Sequence, residues 1–319
     1  MYNTKLLTVE DYDFFRELYE DFCNVAKTEY NFELEPLDYE GFLDAIAKKL
    51  IDCIVLYDNH EPAGFLVYTT AISEAVELNI IHCQKGDHYT DYAKELLLKF
   101  LHLTKDIRKS KIVCYPMLGL QDKLVNIVVK MGFRFIGTEV LRFKMHGTPS
   151  KDMFKRARVV SLPKGYQVVK WTPMYFEDGV KIIQEAFKNS SDALFDPRFK
   201  TESGCRDILN KVVKNVYAEF LPDATSVLLY ESRPVGFSFM NITDGKIVNI
   251  PLVGINDEHQ GKGLSTIMLK RSMEVILRMN GVTEINTTTE TNNLQALGLY
   301  KNLGFIEDYS YPQAYLPII

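Results

Sequence analysis

Apolar and polar positions alternate along this chain in two rhythms. Short apolar runs bounded by turn formers predict strands at Lys5–Thr8, Asp52–Tyr57, Ala63–Thr70, Val76–Cys83 and Lys111–Tyr115, with a strand pair over Phe133–Met145. Apolar residues spaced three and four apart predict helices at Asp11–Glu29, Asp38–Lys49, Tyr89–Asp106 and Gln121–Met131. In the first of these helices Phe14, Phe15, Leu18, Phe22 and Val25 share one face, which reads as core. The second half opens with a strand at Gly165–Thr172 and helices at Met174–Lys188 and Glu202–Val216. A hairpin follows, Thr225–Tyr230 with Val235–Ile242, turning over Glu231–Pro234. Then come a strand at Val248–Ile255, a helix from Leu264, a strand at Glu284–Thr289, a short helix from Asn293 and a last strand at Tyr309–Leu316.

The two halves carry the same order. Pro62-Ala-Gly64-Phe65 returns as Pro234-Val-Gly236-Phe237, and Met131-Gly132-Phe133 returns as Leu303-Gly304-Phe305. Gly64 to Gly236 and Gly132 to Gly304 are both steps of 172 positions. An insertion between these anchors would have changed one step and not the other. The pattern predicts a tandem duplication, with one domain over 1–146, another over 160–319, and a join near His146–Lys164.

Composition narrows the class. The 319 residues are 46% hydrophobic and 25% charged, ordinary for a globular protein of two domains. A net charge of −5 gives no basic surface for nucleic acid. The five cysteines, Cys23, Cys53, Cys83, Cys114 and Cys205, are scattered, odd in number and form no C-x-x-C pair, as expected of a reducing, cytoplasmic setting. No apolar run is long enough to span a bilayer, and no His/Cys/Asp/Glu spacing suggests a metal site.

The chemistry concentrates in Val248–Arg271. There a strand leads through Gln260-Gly261-Lys262-Gly263-Leu264-Ser265-Thr266 into a helix. Two close glycines at a helix start let backbone N–H groups converge, and those groups have no intrahelical partner. With the positive end of the helix dipole they suit a pyrophosphate. The loop resembles the Q/R-x-x-G-x-G/A signature of the GCN5-related N-acetyltransferase (GNAT) superfamily, with Gln260, Gly263 and Ser265 at its three positions. Ser265 departs from the usual Gly or Ala but stays small. Downstream, Asn293-x-x-Ala296-x-x-x-Tyr300 followed by Gly304-Phe305 resembles the second signature of that superfamily. Neither G-x-x-x-x-G-K-[ST] nor G-x-G-x-x-G is present.

The resemblance implies an α+β fold of two tandem GNAT-like domains, each a mixed, mostly antiparallel twisted sheet flanked by helices. It implies acetyl transfer from acetyl-coenzyme A to an amine by direct attack, on a small molecule or peptide, by a monomer or homodimer. The matching strand-end residues Val253, Gly254 and Ile255 would supply oxyanion donors, and Gly254 would let the backbone approach a ligand or form a bulge. The loop residues Gln260, Gly261, Lys262, Gly263, Leu264, Ser265 and Thr266 would hold the pyrophosphate. Lys262 also suits a solvated loop. Asn293 would bond the pantetheine arm, or cap its helix. Tyr300 takes the position of the general acid, where a core tyrosine is the alternative. The position of the usual Glu base is Thr288, which cannot serve at neutral pH. Glu290 lies near it in sequence, and Asp257, Glu258 and His259 lie beside the glycine loop. Each reads better as a solvated loop charge than as a base, and a water chain or an amine arriving neutral is equally admissible.

The same step of 172 maps Gln260, Gly261, Gly263, Ser265 and Tyr300 onto His88, Tyr89, Asp91, Ala93 and Val128. The first domain is thus expected to keep the fold and lack the site, supporting or shaping the acceptor cleft. Two other readings compete with a transferase using acetyl-coenzyme A. One is a non-catalytic acyl-coenzyme A binder, favoured by Thr288. The other is a transferase taking an aminoacyl-tRNA donor, disfavoured by the charge.

Overall fold

The computed structural model describes residues 2–8, 15–29, 36–70, 75–117, 121–145, 151–152, 154–155, 157 and 161–318. Phe14 and much of the expected join lie outside the described residues. The chain divides into two compact units, Met1–Ile136 with Tyr311–Ile319, and Gly137–Ser310.

The first unit contains β1 (Tyr2–Leu6), α1 (Arg16–Thr28), α2 (Tyr39–Ala47), β2 (Asp52–Asp58), β3 (Glu61–Thr69), β4 (Ala75–Cys83), α3 (Tyr89–Leu103), β5 (Ile112–Tyr115) and α4 (Asp122–Lys130). β1 to β4 run antiparallel in order, and β5 lies parallel to β4. Both faces of the sheet are covered, so its strands read as continuous apolar runs. Ile54, Leu56, Leu66 and Tyr68 pack toward α3 and α4. Their neighbours Cys53, Val55, Phe65 and Val67 pack toward α1 and α2.

The second unit begins in β6 (Arg134–Lys144), of which Gly137 onward belongs to it. It continues with β7 (Tyr166–Lys170), α5 (Phe176–Phe187), a short α6 (Asp192–Phe195), α7 (Glu202–Val213), β8 (Glu219–Phe220), β9 (Ser226–Tyr230), β10 (Arg233–Thr243), β11 (Ile247–Ile255), α8 (Leu264–Ile276), β12 (Glu284–Glu290) and α9 (Leu294–Asn302). Its strand order is β6-β12-β11-β10-β9-β7, with β8 beside the far end of β10. Among the described residues of this unit, only β11 and β12 are parallel neighbours. Thr201 caps α7 by accepting from the Gly204 N–H at 3.1 Å. Trp171 is core, edge-on to Phe239 with ring centroids 4.9 Å apart.

The repeat holds in the hydrogen-bond register. Ala75, Val76 and Glu77 face Ile112, Val113 and Cys114, while 172 positions on Ile247, Val248 and Asn249 face Glu284, Ile285 and Asn286. Gly64 faces Cys83 as Gly236 faces Ile255.

Two features differ from the sequence expectation. Phe133–Met145 forms the single strand β6 and not a pair. Gly137 sits inside it because a Cβ there would lie 2.5 Å from Thr291 Oγ1. The division at 1–146 and 160–319 also differs from the compact units at both ends. The last strand, β13 (Ile306–Leu316), pairs through Ala314–Leu316 with Val113–Tyr115 of β5, inside the first unit. Its equivalent β6 pairs through Thr138–Lys144 with Glu284–Glu290 of β12, inside the second. Each repeat therefore lends its final strand to the sheet of the other unit.

Candidate active site

The site grows from a fork in the second sheet. β11 and β12 are paired only from Ile247 to Asn249. Beyond that point β11 stays paired with β10, and β12 stays paired with β6. The separation begins where the β10–β11 register slips between Phe239 and Asn241, opposite Ile250 and Pro251. A bulge bends the strand there, and Pro251 has no N–H for a ladder on either side. Thr287 bridges the base of the fork, its Oγ1 donating to the Ile250 carbonyl at 3.4 Å.

A cleft of about 400 Å³ opens from the fork. Val253, Gly254 and Ile255 line it from β11. Gln260, Gly261, Gly263, Leu264, Ser265 and Thr266 line it from the loop and the start of α8. Asn293 and Tyr300 line it from α9. Lys262 does not line it. Its ammonium donates to the Glu258 carbonyl at 3.0 Å and to Tyr166 Oη at 3.2 Å. Ala296 of the second signature lines it too, as do three residues that the sequence reading did not single out, Ala186, Gln295 and Leu299. The spacing of Gln295 and Leu299, four apart on the helix that carries Tyr300, was the available signal.

Gly261 and Gly263 both adopt left-handed φ, +75° and +72°, which a side chain resists. Gly263 is the N-cap of α8, and no side chain caps that helix. Among the described residues, no group in the chain accepts the N–H of Gly261, Lys262, Gly263, Leu264, Ser265 or Thr266. Six consecutive donors at the positive end of a helix are fitted for an anion. The Gln260 side chain braces the loop, donating to the Ile255 carbonyl and to Asp257 Oδ1, both at 2.9 Å.

Gly254 has a packing reason. A Cβ there would lie 2.9 Å from the Ala186 Cβ and 3.2 Å from the Phe237 ring. The bulge lies several residues upstream of it. Asn293 caps α9, its Oδ1 accepting from the Ala296 N–H at 3.0 Å. Tyr300 is 6% exposed. Burial raises its phenol above the ordinary range; a hydrogen bond with Thr287 opposes the rise and the Asp192 charge adds to it. The phenol is therefore a neutral proton carrier through and beyond neutral pH. Thr288 is exposed on β12, and Ser191 Oγ donates to Glu290 at the end of that strand.

The matching region of the first unit is closed. α3 starts at Tyr89, so positions equivalent to Gly261–Gly263 are already helical, and the Tyr92 N–H, equivalent to that of Leu264, donates to the His88 carbonyl at 3.0 Å. At the Gly254 position stands His82, 1% exposed, with Nε2 2.9 Å from Asp21 Oδ2. Val128, at the Tyr300 position, is fully buried.

Residues 194–305, which carry the fork, the glycine loop and α9, match the family model described as the Acetyltransferase (GNAT) family. They are a GNAT domain. Several solved structures resemble the whole chain, among them two that match over nearly their own full length. One is a GCN5-related N-acetyltransferase from Sphaerobacter thermophilus, with a TM-score of 0.60 at 14% identity over 99% of this chain and 96% of that one. The other is a tandem GNAT protein from the clavulanic acid biosynthesis pathway, with a TM-score of 0.57 at 12% identity over 99% and 98%. At these identities the likeness is one of fold, tandem in the second case. The sequence matches no curated protein. Among the described residues of the chain there is no cluster of three potential metal ligands and no helix long and apolar enough to cross a membrane.

Proposed function

We propose that the protein transfers an acetyl group from acetyl-coenzyme A to an amine, on a small molecule or a peptide, with Tyr300 as general acid. One observation carries this reading: five residues with unengaged backbone donors, Gly261 and Gly263 to Thr266, and a buried phenol line the same forked cleft. The loop from Gly261 to Thr266 would hold the pyrophosphate. From Ile250 onward β11 is paired with β10 alone, which leaves the other edge of Val253–Ile255 to meet the pantetheine arm and the thioester carbonyl. Acetyl-coenzyme A supplies an activated acyl carbon and a thiolate leaving group. The acceptor nitrogen forms the new C–N bond, the C–S bond breaks, and Tyr300 gives its proton to the departing sulfur. The amine proton leaves to water, since Thr288 is no base.

The exposed Thr288 favours a second reading, a module that binds acyl-coenzyme A without turning it over. Calorimetry with coenzyme A tests the site, and a thiol-release assay over a panel of amines separates the two readings. Binding with no turnover on any amine class would leave the binding module standing.

A further inference from the structure

His259 lines the cleft just before the glycine loop, and its ring is held from outside the loop. Its Nδ1 lies 2.7 Å from Tyr166 Oη, on β7, the far edge strand of the unit. The Tyr166 ring is edge-on to the imidazole, with planes 84° apart, and the Tyr230 ring centroid lies 5.1 Å from that of His259. The same Tyr166 oxygen accepts from the Lys262 ammonium at 3.2 Å.

This chain of bonds has a direction. An ammonium can only donate, so the phenol oxygen accepts from Lys262. The phenol hydrogen then needs an acceptor, and among the described residues the only one recorded for it is His259 Nδ1. A cationic donor already on that oxygen disfavours a second donor there. Nδ1 is therefore the bare nitrogen, and the imidazole carries its hydrogen on Nε2, on the opposite side of the ring.

We propose that His259 is a binding residue for the phosphate end of the acyl donor, presenting Nε2–H to a phosphate oxygen, and that Tyr166 is the positioning residue that sets its tautomer. This rests on the acyl-coenzyme A reading of the cleft. It adds an imidazole donor beside the backbone donors of the loop. It also gives Lys262 a role: orienting Tyr166. Coenzyme A has two sources of phosphate oxygen, the pyrophosphate and the 3′-phosphate, and either satisfies this donor.

The test is calorimetry with coenzyme A, dephospho-coenzyme A and pantetheine on the full chain. His259→Ala is expected to weaken coenzyme A on the order of tenfold or more and leave pantetheine unchanged, the scale of a hydrogen bond to a charged group. His259→Gln, whose amide nitrogen falls near the Nε2 position, should recover most of the loss. Tyr166→Phe should give a smaller loss for coenzyme A alone. A ¹⁵N spectrum of the six histidine rings should show His259 as the Nε2–H tautomer, shifted in Tyr166→Phe. Loss retained with dephospho-coenzyme A points to the pyrophosphate; loss confined to coenzyme A points to the 3′-phosphate. Equal losses for coenzyme A and pantetheine, an unaffected His259→Ala, or an Nδ1–H tautomer each overturn the proposal. A wild-type protein that binds none of the three ligands overturns the acyl-donor reading itself.

Discussion

Tyr300 was visible in the sequence as a tyrosine seven residues after Asn293; its burial and its bond to Thr287 were not. Removing only its hydroxyl should separate chemistry from packing. Tyr300→Phe keeps the ring against Phe305, 5.4 Å away between centroids, and is expected to lower turnover about 10²- to 10⁴-fold with coenzyme A affinity nearly unchanged. Stopped-flow thiol release checks this; wild-type rates with chemistry limiting would reject the role. Gly254 was expected to admit a ligand or a bulge. Its neighbours show that it admits α5. Gly254→Ala should destabilise by about 1–3 kcal/mol, the usual scale of overpacking. Ala186→Gly in the same chain should restore part of that in urea unfolding, because the nearest clash is with the Ala186 Cβ.

Among elements, the most informative pair is β6 and β13. Their ranges, 134–144 and 306–316, are 172 apart, so they are the same strand of the repeat. Periodicity located both strands, though it read β6 as two. It could not say which sheet each would join, since both sheets offer an equivalent edge. β13 covers the edge of β5 and brings Ala314 and Leu316 into the first core. Deleting 311–319 should therefore open that edge and cost about 2–5 kcal/mol, the scale of emptying a buried leucine site. Hydrogen exchange should rise at the amides of Ile112–Tyr115; unchanged protection there would show that the strand is dispensable.

For the whole molecule, the prediction is one coenzyme A per chain, lost in Gly263→Asp. That variant puts a side chain at a left-handed φ of +72° and a negative charge where phosphate should sit. Isothermal titration reads the stoichiometry, and two per chain would restore a site to the first unit. Alkaline stability is also set by the molecule as a whole. Burial raises Tyr19 and Tyr300 and pushes Tyr68 up to about 12, from an ordinary 10.0. In the unfolded chain these phenols ionise near pH 10, whereas the folded chain keeps them protonated. Stability is thus unaffected by them below about pH 10 and falls above it, by up to about 1.4 kcal/mol per pH unit for each such group. Urea midpoints from pH 8 to 11 should stay level and then drop.

The sequence by itself determined the order of elements, the duplication and the positions of the glycine loop, Asn293 and Tyr300. These are local properties: apolar period, turn chemistry, and glycine where φ must be positive at Gly261 and Gly263. Only the tertiary structure decided which sheet receives β6 and which receives β13. It alone showed Asn293 as a cap, Lys262 turned to Tyr166, and His259 joined to a tyrosine 93 positions away. Those outcomes depend on groups distant in sequence meeting across packed layers. A one-dimensional pattern contains the residues but not the meeting.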